Sequence, residues 1–443
     1  MSSDWIETTI GEYCPFTYGK GLKKDDRDNI GKVNVYGSNG TVDTHTEALI
    51  EQPGIIIGRK GSVGEVHLSN GPFWPIDTAF YTLKDDLEEL WFTYYLLNSV
   101  GLNQMNSDSA VPGLNRDRAH SVSIRIPGYG DERKRIGRDL RLFDQKIHIN
   151  QQTNETLEAM AQAIFKSWFV NFDPVRAKIE ANAEGHDPNR AAMAAIAGVS
   201  LEQDWDAIEA ALQQKLDRMS DTQRTQLRQT AKLFPDELVE SEIGVVPKGW
   251  GIDSVFNQAE YINGAAFQGK DFSKSDLGLP VIKIAELKSG ISDQTKFTEK
   301  EVKDKYHIDS GDILFSWSGN PDTSIDIFIW EGGKGLLNQH IFKINSESKT
   351  RKVFNYYFLK SMLPFFKRTA ANKQTTGLGH VTQRDLKRKQ ITIPSKELVT
   401  AFSEIAEPIF DKIFTNLMEV QNLSKLRDTL LPKLISGELG FEV

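Results

Sequence analysis

The sequence predicts an α+β chain in which one unit is used twice, each copy a globular domain followed by a long helix. Three observations predict it. The first is an ordered series of internal matches. Trp5 and Gly19 fall on Trp250 and Gly264 at a common offset of 245 residues. "IRIP" ending at Pro127 falls on "ITIP" ending at Pro394, and Phe143-Asp144 on Phe410-Asp411, both at 267. Leu157, Met160, Ile164 and Phe165 fall on Leu423, Leu426, Leu430 and Leu431 at 266. Single matches arise by chance, but a series in one order at slowly drifting offset marks a duplication. The second observation is that each copy mixes short apolar runs with one aromatic helical stretch. The third is a long apolar seam after each closing strand. The length, 443 residues, allows two or three domains, each with a proper core.

In chain order, "GIIIG" at Gly54 to Gly58 reads as a buried strand, and "LEELWFTYYLLNSV" from Leu87 as an aromatic helix. After Pro127, Ile136, Leu140, Phe143, Ile147, Asn150, Asn154, Leu157, Ala161, Ile164 and Trp168 keep spacings of four and three, the seam of a coiled coil. A helix of about 40 residues reaches roughly 60 Å. Asn150 and Asn154 weaken such a seam, yet buried polar positions can fix register and partner. From Arg176 to Glu240 lies a stretch with no counterpart in the second copy, rich in helix formers, with a turn at "EGHDPN" and eight basic against twelve acidic residues. It reads as a helical spacer.

In the second copy, "LPVIKIAEL" from Leu279 and "GDILFSWSG" from Gly311 read as strands, and "KVFNYYFLKSMLPFF" from Lys352 as the aromatic helix. The second seam runs through Phe402, Ile405, Ile409, Ile413, Val420, Leu423, Leu430 and Leu434. Pro408 is expected at a first turn or a kink, and Pro432 to end or bend the helix. Two long helices with one seam each most simply pack on each other; an antiparallel pair would hold the globular domains at opposite ends.

Composition excludes several classes. The one cysteine, Cys14, forms neither an internal disulfide nor a cysteine-rich metal site. The N-terminal segment lacks a signal peptide's basic start and apolar run, and no stretch approaches the 18 apolar residues of a spanning helix, so a cytoplasmic, membrane-free protein is expected. No zinc-type histidine cluster or GxSxG turn is found. "GAAFQGKD" from Gly264 has the glycine and lysine spacing of a nucleotide-binding loop but places Asp271 where a hydroxyl belongs. "NFDPVR" at Asn171 carries a single Asp-Pro where an amino-methyltransferase has two prolines and an aromatic. "GRKGSVG", Gly58 to Gly64, reads equally as a phosphate cradle or a simple turn.

The net charge of −8 argues against an indiscriminate nucleic-acid binder, but local charge differs. From Arg351 to Gln390 ten lysines and arginines face one acid, Asp385, with aromatics at helical spacing that read as a core face. Arg116, Arg118, Arg125, Arg133, Lys134, Arg135 and Arg138 cluster around "VPGLNRDR", which aligns with "TTGLGHVTQRD" of the second copy. Both loops set small, polar and basic residues before the closing strand, the chemistry needed to hold phosphates and read base edges.

With "AMAQAIFKSWFVNFDPVRAK" after the first helix, "SEIGVVPKGW" opening the second domain and "LRDTLLPKLISGEL" near the C-terminus, the whole chain resembles the specificity (S) subunit of type I DNA restriction-modification systems. The resemblance implies a pseudo-two-fold repeat of two globular target-recognition domains joined by two long antiparallel coiled-coil helices. Its expected boundaries are 1–130 and 247–396 for the domains, 131–175 and 397–443 for the helices, and 176–246 for the acidic insert. It implies a non-catalytic subunit in which each domain reads one half of a bipartite asymmetric site on double-stranded DNA. The helices would space the halves and dock two modification (M) subunits, which carry S-adenosylmethionine and methylate adenine N6. Restriction (R) subunits would bring ATP and Mg, and this chain would bind no cofactor or metal itself.

By loop position and side-chain chemistry, the expected DNA contacts in the first domain are Lys20, Lys23, Lys24, Arg59, Lys60, Ser62, Asn115, Arg116 and Arg118. In the second they are Lys270, Trp317, Asn320, Lys373, Gln374, Thr375, Thr376, His380 and Arg384. Phe143, Ile147, Leu157 and Ile164, with Ile409, Ile413, Leu423 and Leu430, are expected to pack the helices. Two alternatives stand beside this reading: a coiled-coil assembly scaffold without a DNA role, and a P-loop or methyltransferase-like enzyme.

Overall fold

The computed structural model describes residues 5–28, 30–105, 113–374 and 378–439. It comprises two compact units, Met1–Ile149 with Asn422–Val443, and Asn150–Gln421.

In the first unit the opening strand Trp5–Thr9 pairs antiparallel with the closing strand Ser123–Pro127, Trp5 opposite Pro127. Thr9 and Glu12 form a reciprocal capping box that turns the chain into the short helix Ile10–Tyr13. A four-stranded antiparallel sheet follows in the order Thr17–Tyr18, Ala79–Thr82, Gly54–Gly58, Val66–Ser69. A second sheet orders Gly40–His45, Val33–Gly37, Phe73–Pro75, its last pair parallel. The run Ile55-Ile56-Ile57 is wholly buried because both sheet faces are covered. Ile55 and Ile57 enter the core of Phe16, Phe80, Phe92 and Leu96, and Ile56 joins Tyr36 and Phe73 on the other side.

The aromatic helix is Leu87–Ser99, started by Asp86, whose carboxylate accepts from the Glu88 and Glu89 amides. It packs against the long helix Gly130–Lys166 so closely that a Cβ on Gly137 would lie 2.4 Å from the Glu88 carbonyl oxygen. Ile136 and Leu140 share this core with Leu434 and Ile435 of the helix Lys396–Ser436. Arg427 donates to Asp144 at 2.7 Å, and Tyr95 donates to the other carboxylate oxygen of Asp144 at 2.5 Å.

The second unit repeats this topology, with one strand more in its smaller sheet. Gly251–Ser254 pairs with the closing strand Gln390–Ile393. The four-stranded sheet runs Glu260–Asn263, Ile341–Asn345, Ile313–Ser316, Asp326–Ile329. The other runs Phe297–Thr298, Leu279–Ile282, Gly335–Leu337, His307–Ile308, again with a parallel pair inside. The aromatic helix is Lys349–Ser361, and Pro364 opens a separate helix, Leu363–Ala371. Its Phe354, Tyr357 and Phe358 form one core with Phe165, Trp168, Phe169 and Phe402 of the two long helices. Their rings meet tilted or edge to face at 4.9–6.1 Å where Phe165, Trp168, Phe169 and Phe354 surround Phe402 and one another.

The long helices are antiparallel within each unit, residue numbers rising in one as they fall in the other. In the second unit Asn150 donates to Glu419 at 2.8 Å, Asn154 to the Ile413 carbonyl at 3.2 Å, and Asn416 to Asn154 at 2.8 Å. The seam asparagines therefore each find a partner on the facing helix, which favours one register. Ile147 and Ile413 are buried in the seam, and Phe143, Leu157, Ile164, Ile409, Leu423 and Leu430 are half-buried.

Four expectations are corrected. Lys396–Ser436 continues through both Pro408 and Pro432, so Pro408 is not at a first turn and Pro432 does not end the helix. Both prolines are exposed, as are Glu404 and Asp428 four residues earlier, so each lost backbone bond falls on an exposed face of the helix. "LPVIKIAEL" is a strand only to Ile282, because the Lys283 amide donates to Glu286 and starts the helix Ile284–Ser289. "GDILFSWSG" breaks at Trp317, leaving Ser318–Gly319 to pair elsewhere. The insert is not all helix: four helices between Asp173 and Leu233 are followed by the hairpin Leu238–Ser241/Gly244–Pro247. "NFDPVR" is its helix junction. Phe172 takes a left-handed conformation, φ 61°, with its ring buried against Trp250 and Pro174 inside the next turn.

Candidate nucleic-acid interface

The two phosphate-loop resemblances dissolve into ordinary turns. In "GRKGSVG" the Arg59 and Lys60 amides donate to the Thr78 carbonyl, Val63 to Gly61, and Gly64 to Gly58, so these amides do not point at a ligand. In "GAAFQGKD" the Gly264 and Ala265 amides donate to the Ile341 and Leu337 carbonyls, and Asp271 caps Gln268 in a three-residue turn. No helix of useful length follows to lend its dipole.

What recurs is a bridge across the middle strand of each four-stranded sheet. In the first domain Arg59 leaves the strand Gly54–Gly58, crosses Phe80 at 5.8 Å and lies over the Tyr18 ring at 5.0 Å. In the second, Trp317 leaves Ile313–Ser316, stacks on Phe342 at 5.6 Å and donates from Nε1 to Asn263 Oδ1 at 3.1 Å. The strand registers make these positions equivalent, since Tyr18 pairs with Phe80 as Asn263 pairs with Phe342. A glycine follows in both copies because nothing larger fits. A Cβ on Gly19 would lie 2.2 Å from the Ile76 carbonyl oxygen, and one on Gly264 would lie 2.1 Å from that of Asn338.

The loop before the closing strand docks on the same bridge. Lys60 is bridged to Gly113, the Leu114 amide donates to the Arg59 carbonyl at 2.8 Å, and Arg116 also lies over the Tyr18 ring at 5.0 Å. Correspondingly, Ser318–Gly319 pairs with Gly379–His380, and the Val381 amide donates to the Trp317 carbonyl at 2.8 Å. Short helices then begin at Asn115 and Thr382, each capped by its own side chain. In the first, His120 Nε2 accepts the Phe16 amide at 2.8 Å. Burial, with Arg116 nearby, lowers its pKa and keeps the ring neutral.

The structure thus brings together Arg59, Lys60, Asn115 and Arg116 in one domain, and Trp317 and His380 in the other. Lys20 reaches toward Trp74 at 5.9 Å, and Trp74 donates to its carbonyl. Lys23 and Lys24 lie at an exposed turn, Ser62 in the tight loop, and Arg118 exposed on the helix after Asn115. Lys270, Gln374 and Arg384 are exposed. Two choices are engaged locally. Lys373 donates to Asp385 at 2.6 Å, and Asn320 accepts the amides of Asp322 and Thr323. Thr375 and Thr376 lie outside the described residues. Sequence reasoning missed Tyr18, Asn263 and His340, the last at 5.7 Å from the Trp317 ring. The repeat did hold the signal, since Tyr18 and Asn263 immediately precede the matched glycines.

Among the described residues no group of three or more potential metal ligands occurs, and no helix is long and apolar enough to cross a membrane.

Residues 2–159 and 247–420 match the family model described as type I restriction modification DNA specificity domain. A type I restriction enzyme HindI specificity subunit from Haemophilus influenzae is 31% identical over 346 residues, covering 74% of this chain and 71% of its own. The MjaIX specificity subunit from Methanocaldococcus jannaschii is 22% identical over 398 residues, 88% of this chain and 78% of its own. Among solved structures, a type I restriction-modification system S subunit from M. genitalium superposes with a TM-score of 0.55 at 14% identity, covering 98% of this chain and 96% of that one.

Proposed function

Because this chain belongs to the type I restriction-modification DNA specificity family, its role is DNA sequence specificity, and we propose how its parts divide that role. Residues 1–130 and 247–396 each read one half of a bipartite, asymmetric site on double-stranded DNA. The long helices, 131–175 and 397–443, space the halves and dock two modification subunits, and 176–246 is a spacer. S-adenosylmethionine belongs to the modification subunits, which methylate adenine N6, and ATP with Mg to restriction subunits. This chain performs no chemistry and works in the cytoplasm, where the DNA is.

The observation that carries this reading is the repeated bridge: one scaffold holds the same two positions in both domains but fills them with different chemistry, Tyr18 with Arg59 and Asn263 with Trp317. Two copies of one reader with unlike exposed ends suit a site with unlike halves. In the first domain Arg59, Lys60 and Arg116 supply donors for phosphates or guanine, with Lys20, Lys23, Lys24, Ser62, Asn115 and Arg118 around them. In the second, His380, Arg384, Lys270 and Gln374 face solvent and serve the same ends. Lys373 and Asn320 hold their own loops in shape.

The test is a domain exchange. With modification subunits present, the chain should direct methylation to one bipartite sequence, and replacing residues 1–130 by the equivalent segment of another specificity subunit should change one half-site only. Unchanged specificity after the exchange would sink the reading.

A further inference from the structure

The amide of an exposed asparagine can turn over about its last torsion, exchanging a donor for an acceptor. Asn263 is exposed at the end of an edge strand, yet the indole beside it removes that freedom. An indole N–H can only donate. Its 3.1 Å contact therefore sets Oδ1 toward Trp317 and Nδ2 away. The indole is itself held. Its ring stacks on Phe342, its backbone amide donates to the His340 carbonyl at 3.3 Å, and its carbonyl accepts from Val381.

We infer that Asn263 is a specificity-determining residue of the second domain, its carboxamide reading an adenine edge, and that Trp317 is the residue that positions it. The inference rests on the DNA-reading function proposed above. A carboxamide recognises adenine by donating from nitrogen to N7 while accepting from N6–H at oxygen. Asn263 Oδ1 has two lone pairs, one taken by the indole and one open, and both Nδ2 hydrogens remain to be given. Trp317 thus does not stack on a base but selects the rotamer that presents this donor and acceptor pair. The equivalent position of the first domain cannot make the same recognition. Two guanidinium groups, of Arg59 and Arg116, each lie 5.0 Å from the Tyr18 ring, and these offer donors alone, which match the O6 and N7 acceptors of guanine. Equivalent places in the two domains are accordingly set for different bases.

The experiment uses the full chain assembled with its modification subunits on a library of duplexes, scoring methylation at every position. Asn263→Ala should lose about 10- to 100-fold of discrimination at one adenine of the second half-site. Asn263→Asp should shift that position toward cytosine, whose N4–H₂ it can accept. Trp317→Phe keeps a ring over Phe342 but removes the donor, so it should weaken discrimination at the same position and leave the salt dependence unchanged. The inference is overturned if the unaltered complex is sequence-specific and Asn263→Ala keeps discrimination at every position, or loses activity evenly on all sequences, or relaxes the first half-site. An unaltered complex with no sequence preference would instead overturn the DNA-reading function beneath it.

Discussion

Adding one methyl group to Gly264 should disturb recognition in one half-site and leave the other intact. The new Cβ in Gly264→Ala would stand 2.1 Å from the Asn338 carbonyl oxygen, 2.4 Å from its carbon and 2.5 Å from the Leu337 oxygen. All three are backbone atoms, so no side chain can swing aside. Restoring ordinary contact requires the strand end to move by roughly 1 Å, and overpacking of this kind costs about 1–3 kcal/mol. In a unit of this size that corresponds to a melting point lower by roughly 2–10 °C. The displaced segment begins at Asn263, and the Ala265 amide donates to the Leu337 carbonyl across the same contact. The shift therefore reaches the bridge before it reaches the core. The assay is a melting curve of the full chain together with half-site methylation profiles of the assembled complex. Gly19→Ala is the matched control, since its Cβ would meet the Ile76 carbonyl oxygen at 2.2 Å. It should relax the other half-site. A Gly264→Ala protein with an unchanged melting point and an unchanged profile would refute the claim that close backbone approach sets the reading position.

Three further outcomes follow from the packing. Arg427→Met removes a guanidinium that donates to Asp144 and leaves that half-buried carboxylate with Tyr95, which should destabilise the first unit by about 1–3 kcal/mol in denaturant unfolding. Asn416→Leu strips the donor from Asn154 in the buried layer and should cost a similar amount, about 1–3 kcal/mol, while Asn154→Leu/Asn416→Leu should recover much of it. His120, with its pKa held below the ordinary value by burial and Arg116, withholds its proton in the folded state while the unfolded chain takes one up near pH 6.5. Stability of the first unit should therefore fall as pH drops through that value, and a pH series of melts on His120→Gln should show a flatter dependence.

The parts of the fold legible in the sequence are those where one force decides. The seams of the long helices follow from burial alone, and so do the aromatic helices, whose caps at Asp86 and Ser348 mark their starts. Gly19 and Gly264 could be matched because close backbone approach admits no other residue. The expectations that failed lay where two local effects compete. "LPVIKIAEL" is apolar enough for a strand, but Glu286 reaches back to the Lys283 amide and the chain turns into a helix after Ile282. Proline breaks helices in general, but Pro432 sits on an exposed face, where losing one backbone bond costs least, and packing of Leu434 and Ile435 carries the helix on to Ser436.

The site divides along the same line. Arg59, Arg116 and Trp317 could be picked from loop chemistry, whereas Tyr18 and Asn263 sit at the ends of short edge strands. Their partners are 41 and 54 residues away in the chain, and no local pattern announces such a pairing. Charge counting misleads for a related reason. Of the basic residues between Arg351 and Gln390, Lys360 is tied to Asp326 and Lys373 to Asp385, while Arg351 donates to Gln258 and Lys367 to a backbone carbonyl. Much of that stretch builds the domain rather than facing a ligand. The residues proposed to read bases are few, and they hang on a buried frame of Phe80 or Phe342 and a glycine against which backbone packs closely. Such a frame can keep its core while the two exposed positions change, which is how one duplicated fold can come to read two unlike half-sites.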